Sequence, residues 1–263
     1  MLRPSSISIG RAGILLGVLA AWELAGRSST MASFLVGTPS AAAIELAALV
    51  TQGLHRHVLV TAIEALVGLT LGTGAGTAIG LGLWFSPYAA GVARPFVLGL
   101  GTLPVIALAP MMIVWFGIDI GMKIALATLS TIFPAIVQAY RGGALVSREY
   151  VDVLVAMGAT RRQVFIKAIV PGSLDWVFSS MRLNVGLGLL GAFLGEYIAS
   201  DSGLGFLITR SASLYNTPRV FAALTVLILL ALALDITASF VERYRGRLVE
   251  FLSVPKSVWK TMR

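Results

Sequence analysis

Six long apolar stretches constrain this chain more than any other feature, at about 9–26, 58–84, 94–117, 121–140, 174–198 and 219–240. Crossing some 30 Å of hydrocarbon takes about 20 mostly apolar residues in a helix. Composition agrees. Hydrophobic residues make up 57% of the 263, charged residues only 12%, and the mean hydropathy is +0.89. The charged share is roughly half that of a soluble domain. The expected fold is therefore all-α: a polytopic membrane protein with six transmembrane helices, forming one domain over residues 1–263.

Several chemistries are excluded at once. The chain has no cysteine, so it has no disulfide, thiolate metal site or cysteine nucleophile. Its two histidines, His55 and His57, flank Arg56 in a polar stretch before the second apolar run and are expected to be solvated rather than metal-binding. No G-x-x-x-x-G-K-[ST] phosphate loop occurs, so any ATP must be bound by another chain. The net charge of +8 would suit nucleic acid, but its distribution points elsewhere. With the N-terminus inside and six spans, the inside segments hold Arg3, Arg11, Arg94, Arg141, Arg148, Arg161, Arg162, Lys167, Arg243, Arg245, Arg247, Lys256, Lys260 and Arg263. The outside segments hold only Arg27, Arg56, Lys123, Arg210 and Arg219. This asymmetry reports membrane topology, with both termini cytoplasmic, and no nucleic-acid partner. The run "AGILLGVLAAW" after Arg3 and Arg11 resembles a secretory signal, but Glu23 and Arg27 interrupt its tail, so a retained first span is expected.

Outside the first span, Gly37-Thr38-Pro39-Ser40 has turn chemistry and Ser40 is a candidate helix cap. The second span carries Gly68, Gly72, Gly76 and Gly80 at four-residue spacing, a stripe of bare backbone suited to close helix packing in lipid. Glu23 and Glu64 lie near the outer ends of the first two spans; Glu23 is expected at the interface and Glu64 is open. In the third span Pro104 and Pro110 each remove a helix hydrogen bond, so a broken helix and a candidate pathway wall are expected there. Gly142-Gly143 is expected to mark the inward exit of the fourth span.

The following loop, 141–172, contains a soluble-looking segment, "EYVDVLVAMGATRRQVFIKAIVPG". Its first half is helical in pattern, with Val151, Leu154 and Val155 able to share a face. Gly158 can end that helix in the left-handed conformation. A second amphipathic helix sets Arg161 and Arg162 against Val164, Phe165, Ala168 and Ile169, and Pro171 is expected to limit it. Such a helix-Gly-helix unit suits either the lipid headgroup layer or a groove on a partner protein.

The spacing here resembles the cytoplasmic loop of bacterial ABC-importer permeases, E-A-A, three residues, G, nine residues, I-x-L-P. Asp152-Val153-Leu154 stands at E-A-A, Gly158 at G, Ala168 at I and Val170-Pro171 at L-P, with the spacing intact and the letters degraded. "LPVIALAPMMIVWFGI", "FPAIVQAY", "GEYIASDSGLGFLI" and "LDITASFVERYRGRL" resemble in order the nitrate/sulfonate/taurine/bicarbonate-type branch, over about residues 35–250. The resemblance implies a non-catalytic permease subunit of the bacterial inner membrane. Its loop would be a coupling helix docked on a separate ABC ATP-binding subunit, which binds ATP and Mg, so that this chain needs no cofactor. It also implies an extracytoplasmic substrate-binding protein and a second copy of the chain as partners. Docking is then expected to use Asp152, Ala156, Met157, Gly158, Ala159, Thr160, Arg161, Arg162, Phe165 and Pro171, with Arg161 and Arg162 facing acidic protein groups or lipid phosphate.

Pathway or gate residues are read from polar or bulky groups at membrane depth: Met111, Met112, Trp115, Arg182, Asn184 and Glu196. For Arg182 the alternatives are snorkelling, a carboxylate partner or a cavity visited by an anion; for Glu196, an outer gate or an interspan hydrogen bond. Asp235 is expected to be structural. A secondary transporter driven by an ion gradient is the competing class, although no second copy of the proline-broken span is visible. An intramembrane enzyme lacks its constellation here. The branch suggests a small anionic cargo such as a sulfonate or nitrate, and also includes carriers of neutral or cationic vitamin precursors.

Overall fold

The computed structural model describes the backbone of residues 4–252 and the side chains of residues 10–243. Arg3, Lys256, Lys260 and Arg263, with the C-terminal end expected to lie inside, fall outside the described residues, as do the side chains of Arg245 and Arg247. All regular elements among the described residues are helical.

Helix α1 (Pro4–Arg27) is followed by α2 (Thr30–Val36) and α3 (Pro39–Thr51), then by the long α4 (Leu54–Gly82). After α5 (Pro87–Gly101) and α6 (Ala109–Phe116) come α7 (Ile120–Ala144), the short α8 (Arg148–Ala156) and α9 (Arg161–Val164), and α10 (Val170–Ile198). Helices α11 (Leu204–Ser213) and α12 (Thr217–Leu252) complete the described chain. Among the described residues, four continuous helical stretches are long and apolar enough to cross a membrane: Leu54–Phe85, Ile120–Ala144, Arg161–Ile198 and Thr217–Arg243. Two bent pairs would bring the number to six. The stretch expected as the first span lies in α1, which carries Arg11, Glu23 and Arg27 and is not among them.

The stretch expected as the third span, 94–117, falls in one of the bent pairs, turning by 89° between α5 and α6. Pro104 is extended at this break, and Pro110 lies in the first turn of α6, where its missing N–H costs no intrahelical bond. The other pair, α2 and α3, bends by 50°. Here Thr38 caps α3, accepting from the Ala41 N–H at 3.2 Å, with Pro39 at the first helical position. Ser40, the expected cap, instead donates its hydroxyl to Glu23 at 2.7 Å, and its backbone N–H donates to the same carboxylate at 3.1 Å. Glu23 thus closes a corner between α1 and α3. The helix begins two residues earlier than expected because Thr38, not Ser40, has the extended backbone a cap requires.

The core is a seam of α4, α7 and α10. A Cβ on Gly68 would collide with Ala127, one on Gly72 with Thr131 and the Thr128 carbonyl, one on Gly76 with the Ile132 carbonyl, and one on Gly80 with the Ile136 carbonyl. Bare backbone at all four positions lets α7 approach over about three turns. Helix α10 closes in by the same device, with Gly191 against the Ala127 backbone and Gly195 against Lys123. Association in lipid relies on such dispersion contacts because lipid tails offer no hydrophobic difference.

Gly142 and Gly143 lie in the last turn of α7, which ends at Ala144, and both are buried, against Trp176 and Ser173 and against Ile169. Their missing side chains serve close packing there. The expectation about Pro171 is corrected: it does not end its helix, which runs on to Ile198. A wide turn over Phe165–Ile169 precedes it, in which the Val170 N–H donates to the Phe165 carbonyl five residues back. That widening accommodates the ring that a regular turn would press against the carbonyl four residues back.

Candidate functional site

The loop between α7 and α10 is built by local rules. Helix α8 ends in a Schellman arrangement: the Ala159 N–H reaches the Leu154 carbonyl at 3.0 Å and the Gly158 N–H reaches the Val155 carbonyl at 2.9 Å. This closure needs a left-handed residue, and Gly158 supplies it with φ of +80°. Thr160 then starts α9 with a capping box, accepting from the Gln163 N–H at 3.3 Å while the Gln163 amide oxygen accepts from the Thr160 N–H at 2.7 Å. Two helix ends therefore meet in a turn closed by hydrogen bonds among its own residues.

Below the turn, Val164, Ala168 and Ile169 are buried among Trp84, Val146, Tyr150, Val151, Leu154, Ala159 and Phe165. Phe165 packs on Phe85 with ring centroids 4.5 Å apart, and the Arg161 guanidinium lies 5.7 Å from the Trp84 ring centroid. Arg161, though exposed, thus lies against Trp84, two residues beyond the end of α4. Above the turn, Asp152, Ala156, Met157, Gly158, Thr160 and Arg162 are exposed, Met157 at 79%. Ala159, Phe165 and Pro171 are half-buried. Val155, expected to share the buried face of Val151 and Leu154, is instead 56% exposed, as is Val153. With only nine residues, α8 rests on its base along a narrow strip, and Val155 falls beyond its edge. An apolar tip of Val153, Val155 and Met157 projects from the bundle.

At the opposite end of the seam sits a buried polar cluster. Glu64, Lys123 and Glu196, on α4, α7 and α10, are exposed by 0%, 3% and 1%. Lys123 Nζ is 3.9 Å from Glu64 Oε1. Glu196 accepts from the Thr61 hydroxyl at 2.6 Å and from the Gly205 N–H at 2.6 Å. Thr61 in turn accepts from the Leu204 N–H at 2.8 Å, and His57 Nδ1 accepts from the Gly203 N–H at 3.0 Å. Three successive backbone donors of the connection 199–203 and the start of α11 are thereby held by side chains of α4 and α10. Lys123 was expected in an outside segment and His57 in solvent; both are drawn in, because buried carboxylates require partners and the first backbone donors of α11 require acceptors.

The remaining pathway candidates divide by exposure. Asn184 is fully buried and ties α10 to α4 and α7, its Nδ2 donating to Thr73 Oγ1 at 3.0 Å and to the Thr131 carbonyl at 3.1 Å. Met112 is buried with Ala109, Met122 and Leu126. Within this chain these two and the Glu196 carboxylate are engaged in contacts between helices. Met111 and Trp115 are exposed on α6. Arg182 pairs with Asp235 of α12 through two hydrogen bonds, at 3.1 and 3.3 Å, with about half of the arginine side chain exposed.

Residues 68–246, more than half of the chain, match the family of binding-protein-dependent transport system inner membrane components. The chain belongs to that family. The permease is 31% identical to the formylaminopyrimidine transport permease protein of Halalkalibacterium halodurans, over 80% of this chain and 84% of that one. It is 27% identical to the taurine transport system permease protein of Escherichia coli, over 72% and 69%. In fold it is similar to a chain of the inward-facing methionine ABC transporter, with a TM-score of 0.65 and 18% identity over 78% of this chain and 98% of that one. The protein is thus a multi-pass inner-membrane permease subunit of an ABC importer. It is itself non-catalytic and works with a separate ATP-binding subunit and a substrate-binding protein.

Sequence reasoning on the permease missed Thr61, His57 and Lys123 as one cluster with Glu64 and Glu196. A signal was present: Glu64, Lys123 and Glu196 are lone ionisable residues near the same expected end of three different spans, and such residues pair when spans pack.

Proposed function

We propose that the permease acts as a homodimer with both termini cytoplasmic and that the turn from Asp152 to Arg162 docks in a groove of the ATP-binding subunit. The observation that carries this is the hydrogen-bonded turn at Gly158, with Val153, Val155 and Met157 left exposed. Apolar anchors on a preorganised turn suit a protein groove, where a few buried residues supply most of the binding free energy. Ala156, Gly158, Ala159 and Thr160 keep the tip narrow, while Asp152 and Arg162 form a charged rim. Phe165 and Pro171 act from the base, and Arg161 orients α9 on Trp84. ATP and Mg are bound by the partner subunit and the chain itself takes no cofactor. ATP-driven closure of the partners would draw the two docked turns together and shift the spans between inside-open and outside-open states. Only differential affinity for the two states can do this work.

The cargo is a small solute, delivered by the substrate-binding protein, of the sulfonate or similar anion class. The taurine relative supports this class and the formylaminopyrimidine relative shows that the family reaches beyond it. Met111 and Trp115 on the exposed face of α6 and Arg182 on α10 are the pathway residues of this reading. Co-purification of the ATP-binding subunit with Gly158→Asp, together with uptake, tests the docking surface. Retention of the complex and normal transport would overturn it. Uptake that persists without ATP would favour a gradient-driven carrier, and ligand binding to the cognate binding protein tests the cargo.

A further inference from the structure

The two histidines at the start of α4 are placed differently. His55 is exposed, whereas His57 is half-buried and its Nδ1 accepts from the Gly203 N–H at 3.0 Å. An imidazole that accepts at Nδ1 carries its single proton on Nε2 and is neutral; the doubly protonated ring has no acceptor left. A proton taken up at Nδ1 therefore removes this bond and sets one N–H against another.

The surroundings make that loss hard to repair. Gly203 is buried with φ of +102°, and a Cβ there would run into the Glu196 carboxylate, so the connection 199–203 is threaded tightly at its end. The next two acceptors are committed, Thr61 to the Leu204 N–H at 2.8 Å and Glu196 to the Gly205 N–H at 2.6 Å. Thr61 does not titrate and Glu196 is only 1% exposed, which leaves His57 as the one acceptor of the three that both titrates and meets water.

A charged His57 would also lack a counter-ion. The charges acting on its ring are Arg56 beside it on α4 and Arg219 of α12, both cations. From α11 the Phe206 ring stacks on it at 6.0 Å, with the Arg210 guanidinium 6.0 Å from that same ring. The carboxylates of the neighbouring segments are engaged elsewhere: Glu196 of α10 by Thr61 and Gly205, Asp201 of the connection by the Ser202 hydroxyl, and Glu45 of α3 by Asn216 and Arg219.

We propose that His57 is a proton-operated latch on the connection 199–203: neutral, it fastens the Gly203 end of that segment to α4, and protonated at Nδ1 it lets that end lift away. The fastened form needs the bare Nδ1. The connection is therefore held at neutral pH and loosened as the pH falls through the titration of the imidazole, which for this side chain ordinarily lies between about pH 5 and 8. Thr61 and Glu196 keep their hold on Leu204 and Gly205, so the release is confined to the connection and leaves α11 in place. In the proposed topology His57 faces outside, and the latch then reads the acidity of the compartment from which cargo arrives. It depends on neither the cargo nor the docking groove.

The test is hydrogen–deuterium exchange of the permease bound to its ATP-binding subunit in lipid nanodiscs, with exchange times scaled for the pH dependence of the intrinsic rate. On going from about pH 7.5 to about pH 5.5, a wild-type peptide covering 199–205 is expected to exchange several-fold faster, while peptides of α7 stay unchanged. His57→Asn sets an amide oxygen, which does not titrate, near the position of Nδ1, and its 199–205 peptide is expected to exchange alike at both pH values. His57→Gln, with a longer reach to the same donor, repeats the comparison should the shorter side chain fail to fold. His55→Asn is expected to respond as wild type does. Exchange in wild type that ignores pH, or a rise in the folded His57 variants equal to that of wild type, would overturn the latch. So would loss of the response in His55→Asn, since it would assign the proton to the other histidine.

Discussion

The two ends of the α4–α7–α10 seam are built on opposite principles. At one end three ionisable groups are sealed inside, and Gly191 and Gly195 are pressed against Ala127 and Lys123. At the other a short turn satisfies its own hydrogen bonds and thrusts apolar side chains into the open, around a glycine whose Cβ position has nothing within 4 Å. Glycine thus serves proximity in the seam and conformation in the turn. A substitution in the first should damage the fold, and one in the second should damage only what the fold contacts.

The largest effect should come from unpairing the buried cluster. Lys123→Met leaves Glu64 and Glu196 without their cation, and breaking such a buried pair typically costs about 3–5 kcal/mol. Thermal unfolding of the detergent-solubilised permease should fall sharply, and adding Glu64→Gln should recover part of the loss. Equal stability of Lys123→Met and wild type would dissolve the contrast between the ends.

Next comes the seam itself. Gly72→Leu forces a side chain into Thr131 and the Thr128 carbonyl, an overpacking cost of about 1–3 kcal/mol or more, so folded protein in the membrane should drop. Gly74→Leu, two residues away where a Cβ meets nothing within 4 Å, should accumulate normally. If both accumulate alike, the stripe is not a packing surface.

In the turn, Gly158→Ala should cost on the order of 1 kcal/mol through the left-handed backbone alone and keep much of the transport. Gly158→Asp should insert as well as Gly158→Ala yet lose the ATP-binding subunit on co-purification, which separates docking from folding. The smallest effect belongs to Arg161→Ala, expected to cost less than about 1 kcal/mol by removing its contact with Trp84. Uptake should fall modestly, and a complete loss would give Arg161 a place in the docking contact itself.

Much of this was legible in one dimension. Apolar run length fixed the helical membrane class, since lipid leaves backbone groups no other partners. The glycine period marked the seam, and Gly158 with its flanking pattern marked the turn, because Schellman closures and capping boxes are made by residues within a few positions of one another. The proline pair in the third stretch marked a break, though not its 89° angle. What the sequence could not supply were partners distant along the chain. Whether Gly142 turns or packs depends on Trp176 lying over it, and whether Pro171 stops a helix depends on a widened turn. Lys123 reads as a surface cation until Glu64 is placed 3.9 Å away, and Asn184 as a pathway group until Thr73 and the Thr131 carbonyl engage it. Local hydrogen bonding and hydropathy are properties of neighbouring residues, so the sequence determined them. The pairing of buried charges and amides requires helices separated by 50 residues or more to meet at one depth, and only the tertiary structure decided that.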